Sequence, residues 1–193
     1  MKSLEKLLFV VLVPHRDVLP ALETYRRTLF AAGIDGAFSF PSAAPLALLK
    51  RPLEKDELKS AAVELRKQLG AGKIVSAGQA EYNGWNNGET AGEIRFFGIV
   101  LEMPAPVFPP DAVNQLYKKP ILAPAIIPTD NPDSACIANN IDSKVVPDFS
   151  FRAAALANLT LQPVHYNQYS FTWNMGPLFW LPNIKKRSSE LIV

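Results

Sequence analysis

Eight of the 17 prolines in this 193-residue chain fall between Pro104 and Pro132. Proline lacks a backbone N–H and holds φ near one value, so sheets accept it only at edges, strand starts and bulges. Residues 104–132 are therefore expected to be irregular, with a short helix over Asp111–Lys118 and an exposed turn at Thr129–Asp133. Clear periodic patterns lie on either side.

The first is apolar from Leu7 to Val13. Lys2 and Lys6 precede it, but Glu5 interrupts the basic region and Pro14-His15-Arg16-Asp17 replaces a small-residue cleavage site, so it reads as a buried strand and not a signal peptide. It is also far short of the roughly 20 apolar residues a membrane span needs. Asp17 then serves as an N-cap, Pro20 sits in the first turn, and Val18, Leu22, Tyr25 and Leu29 form one helical stripe that Gly33 ends. Short strands follow at Ala37–Phe40 and Pro45–Lys50.

A second helix has Glu54, Asp56 and Glu57 at its start and Arg66 and Lys67 near its end, matching the helix dipole. Leu58, Ala62, Leu65 and Leu69 supply its apolar stripe, and Gly70 closes it. Strands Lys73–Tyr82 and Glu93–Glu102 flank the turn-rich Asn83-Gly84-Trp85-Asn86-Asn87-Gly88 and predict a long-tipped hairpin. Apolar residues at Phe96, Phe97, Ile99 and Val100 predict burial of the second strand on both faces. Two last strands, Phe151–Val164 and Tyr169–Leu181, precede a frayed tail over 185–193. The expected class is α+β: antiparallel sheets in two lobes, helices on the outer side, within a single bilobal domain 1–193.

Twenty basic residues against 18 acidic leave a formal charge of +2, which gives no broad basic face for duplex nucleic acid. Cys136 is the only cysteine, so an intrachain disulfide and a cysteine-based metal cage are both ruled out, and a reducing cytoplasm is the expected compartment. Neither a Gly-rich phosphate loop nor zinc-site spacing occurs in the sequence, so no cofactor or metal is expected. No membrane association is expected either.

The order of elements, together with Ala44-Pro45-Leu46-Ala47-Leu48, Asn158-Leu159-Thr160-Leu161, Phe171-Thr172-Trp173 and Leu178-Phe179-Trp180-Leu181-Pro182, resembles the two-histidine (2H) phosphoesterase superfamily, which includes the 2'-5' RNA ligases and cyclic phosphodiesterases. The resemblance implies two lobes around a cleft, each giving a His-x-Thr or His-x-Ser motif on a strand. One imidazole takes a proton from the attacking oxygen, the other protonates the leaving oxygen, and the hydroxyls hold the phosphate. Each acid–base partner typically contributes about 10²–10⁴-fold.

This chain departs from that pattern at both histidines. Pro45 offers neither a side-chain proton nor an N–H, Ala47 has no hydroxyl, and Asn158 does not titrate; Thr160 alone keeps its family group. The resemblance thus implies a protein that has lost catalysis and kept a cleft, binding a nucleotide or phosphate ester with Asn158 and Thr160 as polar contacts and Pro45 and Ala47 lining it.

Two histidines remain. His165 follows Asn158 by seven positions, roughly 20 Å along a regular strand and on its other face. His15 closes the first strand and is the first candidate for a relocated acid or base in an enzymatic alternative. Trp85 could stack on a base, and Lys50, Arg51 and Arg95 could meet a phosphate, but a tip aromatic on its own sheet and solvated charges account for them as well. Ser42 has no acid–base partner nearby in sequence. A third alternative makes the Pro-rich segment a docking arm for an unidentified protein partner, since proline lowers the entropy lost on binding.

Overall fold

The structure is a computed structural model that describes residues 5–69, 76–87, 92–103, 107–128, 151–165 and 168–180. Eight strands and two α-helices follow in the order β1 (Glu5–Pro14), α1 (Leu19–Ala31), β2 (Ala44–Leu49), α2 (Lys55–Leu69), β3 (Ser76–Asn87), β4 (Gly92–Leu101), β5 (Val113–Leu116), β6 (Ile121–Pro128), β7 (Phe151–His165) and β8 (Gln168–Trp180). Short 3-10 turns at Arg16–Val18 and Asp35–Phe38 flank α1. The chain is α+β, with two antiparallel sheets: one of five strands in the order β5-β2-β1-β7-β8, one of three in the order β3-β4-β6.

The apolar run becomes β1, the central strand of the larger sheet, buried from Phe9 to Pro14. Its side chains alternate between two apolar clusters. Val10 and Leu12 pack with Leu22, Tyr25 and Leu29 of α1 and Leu58, Ala62 and Leu65 of α2. Phe9, Val11 and Val13 instead pack with Phe40, Phe96, Tyr117 and Ile126. The Phe40 ring bridges that second cluster, edge-on to Phe9 at 5.4 Å and to Phe96 at 5.3 Å. Both helical stripes anticipated from periodicity therefore face the same cluster, and β4 buries both of its faces.

Helix α1 ends as its sequence requires. Gly33 takes φ of +95°, its N–H donates to the Phe30 carbonyl, and the Ile34 N–H donates to Leu29 at 3.1 Å, a Schellman closure. Its start differs from expectation: Asp17 lies inside the 3-10 turn, and α1 begins after Val18 with no side-chain cap. The expected strand at Ala37–Phe40 is also replaced by the 3-10 turn Asp35–Phe38. That turn lies so close to β6 that a Cβ on Gly36 would overlap the Ile126 carbonyl.

The Pro-rich stretch holds the largest correction. Val113–Leu116 is a strand, not a helix, because β5 pairs with the edge of β2 that β1 does not use. Ile121–Pro128 is a strand as well, and its prolines occupy tolerated positions. Among the described residues β6 is an edge strand, Pro120 precedes it and Pro128 ends it. Pro124 falls at a register shift where Phe97 pairs with Ala125 and Ile99 with Leu122. Ala123 there adopts φ of +49° and donates its N–H to Ala43, joining β6 to the start of β2.

Most of the turn expected at 83–88 is strand instead, and Gly88 lies outside the described residues. β3 runs on to Asn87, absorbing Gly84 at a register shift between Asn83 and Trp85. The turn at 129–133 and the tail at 185–193 lie outside the described residues. No helix among the described residues is long and apolar enough to cross a membrane.

Candidate functional site

The two motif segments lie on strands either side of β1. Val10 pairs with Ala47 of β2 and with Leu156 of β7, while Leu8 pairs with Asn158. Ala47, Asn158 and Thr160 thus belong to the sheet face that carries the helices, with Ala47 and Asn158 about 12 Å apart by strand spacing and rise. Pro45 and Ala47 are buried, Asn158 is exposed and Thr160 is half-buried. Pro45 lies where β2 bulges against β1, and the carbonyl of the extra residue, Leu46, accepts the Tyr117 N–H at 2.9 Å.

Asn158 and Thr160 have polar neighbours on β8 that the sequence analysis did not single out. Asn158 pairs with Asn174 and Thr160 with Thr172, both exposed. The signal was present as the alternation Phe171-Thr172-Trp173-Asn174-Met175.

A different concavity is rich in arginine. A pocket of about 570 Å³ is lined by Val13 of β1, Arg16, Leu19, Pro20, Glu23 and Arg26 of the turn and α1, Pro41 and Ser42 ahead of β2, Arg152 of β7, and Trp173 and Met175 of β8. Leu19, Glu23 and Arg26 reach it together because spacings of four and three residues share a helix face. Trp173 leaves 43% of its surface exposed. Three guanidiniums against one carboxylate give this lining two net positive charges.

Arg26 is the organising group. Only 6% of it is exposed. Nε donates to the Ala37 carbonyl at 2.7 Å, Nη2 to the Phe40 carbonyl at 2.5 Å, and Nη1 to Ser42 Oγ at 2.7 Å. These bonds explain why 37–40 is not a strand: the guanidinium satisfies carbonyls that a ladder would otherwise need. The Phe38 ring lies over the same group at 4.9 Å. Burial pulls the Arg26 pKa below its ordinary value, with the Glu23 charge opposing. Glu23 itself accepts a hydrogen bond from Arg27 at 3.3 Å.

His15 does not line this pocket, although it directly precedes Arg16, which does. It is exposed, and its Nδ1 is 2.9 Å from Asp17 Oδ2. The backbone N–H of Asp17 also points at Nδ1, from 3.5 Å. These contacts need opposite protonation of Nδ1, and the shorter favours a proton there. His165 pairs with Gln168 at the far end of the β7–β8 hairpin, away from the pocket.

Arg51, a weighed phosphate contact, is engaged elsewhere. It clamps Glu57 through both guanidinium Nη atoms, at 2.8 and 2.9 Å, and Asp111 at 2.6 Å. Beside that clamp, α2 and residues 107–110 border a second surface groove, lined by Asp56, Glu64, Val107 and Phe108 among others. Among the described residues, no group of three or more His, Cys, Asp or Glu side chains is placed to hold a metal ion.

None of Arg16, Arg26 and Arg152 is marked by a motif. The available signal was an arginine, Arg26, directly beside the Leu22–Tyr25–Leu29 stripe of α1. Comparison with protein-family models, curated proteins and solved structures finds no match to this chain.

Proposed function

We propose that this protein is a divergent 2H-like phosphoesterase relative that binds a nucleotide or another phosphate ester without turning it over. The observation that carries the reading is the pocket of Arg16, Arg26 and Arg152, with Ser42 and the exposed indole of Trp173 beside them. Guanidinium groups match phosphate oxygens in charge and geometry, and an indole offers a flat apolar face to a base or sugar. The loss of catalysis follows from the motif positions, where Pro45, Ala47 and Asn158 cannot shuttle protons. Asn158 and Thr160, with Thr172 and Asn174 beside them, point away from the face of Trp173 and are kept as the contacts of an alternative site rather than of this pocket.

Calorimetry with AMP, 2',3'-cyclic nucleotides and short 2'-5'-linked oligonucleotides tests this. Saturable binding without product is expected, weakened at least tenfold in an Arg16→Ala, Arg152→Ala double variant. Binding that ignores those arginines and disappears in Asn158→Ala, Thr160→Ala would move the site to the helix-bearing sheet face. No binding of any of these ligands would end the proposal.

A second reading, an enzyme with a relocated acid or base, is favoured by one contact. Asp17 Oδ2 lies 2.9 Å from Nδ1 of His15, whose chain neighbour Arg16 lines the pocket. Turnover that is lost in His15→Ala, with a pH–rate profile showing a group near neutrality, would establish it.

A further inference from the structure

We infer that the pocket selects a phosphate monoester dianion over a diester, and that Ser42, oriented by Arg26, is the hydroxyl that reads the monoester's free oxygen. This rests on the reading that the pocket binds phosphate esters, and it narrows the class to terminal phosphates.

The polarity of one hydrogen bond carries the inference. Arginine has five N–H donors and no acceptor. The 2.7 Å contact between Arg26 Nη1 and Ser42 Oγ can therefore run only one way, with Ser42 accepting. The hydroxyl's single proton is left to point elsewhere. Ser42 lines the pocket and is half-buried, so that proton is available to a bound ligand. Accepting from a cation also polarises the O–H and makes it a better donor. Ser42 thus offers a donor where a protonated or esterified oxygen would offer less in return.

Charge points the same way. Arg16, Arg26, Arg152 and Glu23 line this space, a formal balance of two positive charges. Glu23 also accepts from Arg27, which directs one of its oxygens to a cation outside the lining. A monoester carries nearly two negative charges once its second proton leaves, near pH 6, whereas a diester never carries more than one. The dianion therefore complements the lining better.

The experiment compares phenyl phosphate with methyl phenyl phosphate by calorimetry from pH 5 to 8, using the full chain. Their aromatic group is the same, so the phosphate is what differs. Wild-type protein is expected to bind the monoester at least tenfold tighter at pH 7.5, with affinity rising as pH passes through about 6. The diester does not ionise in this range, so its profile reports any titration of the protein itself, His15 and Asp17 included. In Ser42→Ala the monoester should lose about tenfold and its pH step should shrink, while Ser42→Thr keeps both.

Equal affinity for the two esters, or a preference unchanged in Ser42→Ala, would overturn the inference and leave phosphate-ester binding standing. Failure of wild-type protein to bind either ester would overturn both. The wild-type comparison needs no substitution, so it holds even if Ser42→Ala misfolds.

Discussion

Arg26 and Arg51 each gather several acceptors, yet they do opposite things. Arg51 is on the surface, and two carboxylates, Glu57 and Asp111, meet its charge. Arg26 is enclosed, and its hydrogen bonds go to two carbonyls and a hydroxyl, all neutral. Carboxylates cancel a guanidinium's field, whereas dipoles only solvate it. The Arg51 cluster is therefore a tie between α2 and the approach to β5, with no charge left for a ligand. Arg26, whose hydrogen bonds are all to neutral groups and whose nearest opposing charge is Glu23, polarises the pocket through Ser42. Counting arginines on a sequence would have ranked the two alike.

The difference can be broken from the Arg26 side first, and most severely through Gly36. A methyl group there would collide with the Ile126 carbonyl, so Gly36→Ala must push the 3-10 turn off β6. A loss of about 3 kcal/mol in chemical denaturation is expected, together with weakened binding of phosphate esters. Stability unchanged in this variant would mean the turn does not rely on β6 for its position. Next comes Arg26→Met, which keeps apolar bulk but leaves the carbonyls of Ala37 and Phe40 without their donor. It should cost about 2 kcal/mol; a neutral result would show that the guanidinium is not needed to hold this loop.

Smaller effects belong to the Arg51 side. Arg51→Ala removes an exposed network, so its denaturation midpoint should fall clearly less than that of either variant above, and ligand binding should not change. Acid titration sharpens the point. The Arg51 guanidinium holds the Glu57 carboxyl at about 2, against an ordinary 4.5, and pulls Asp111 below its usual range. Because both folded-state values are depressed, the native protein binds fewer protons than the unfolded chain as pH falls. The stabilisation is complete above about pH 4.5 and is lost as pH drops towards 2. Arg51→Ala should flatten stability over that window, as followed by denaturation at a series of pH values. An equally steep decline in the variant would assign the acid sensitivity to other carboxylates.

Much of the scaffold was legible because its signals are local. The apolar run at β1, the two helical stripes, Gly33 as a stop and the double-sided burial of β4 all follow from periodicity or single-residue geometry. Reading failed where a neighbour in space changed the local rule. Pro124 fits a strand because β6 is, among the described residues, an edge and bulges at that point. Ala37 and Phe40 leave the sheet pattern because a side chain from α1 takes their carbonyls.

The candidate site divides in the same way. The segments around Pro45, Ala47 and Asn158 could be picked out along the chain through a resemblance, and the absence of proton carriers at those residues is fixed by residue type alone. The arginine pocket could not, because Arg16, Arg26, Ser42, Arg152 and Trp173 come from distant parts of the chain and share no spacing. What sequence determined was chemistry that a side chain carries wherever it goes: which groups titrate, which lack a donor, which prefer a helix. Tertiary structure alone decided which charges meet a carboxylate and which, like Arg26, are hydrogen-bonded only by neutral groups. That choice depends on burial and on the partner across a few ångströms, quantities that arise only when the chain is folded.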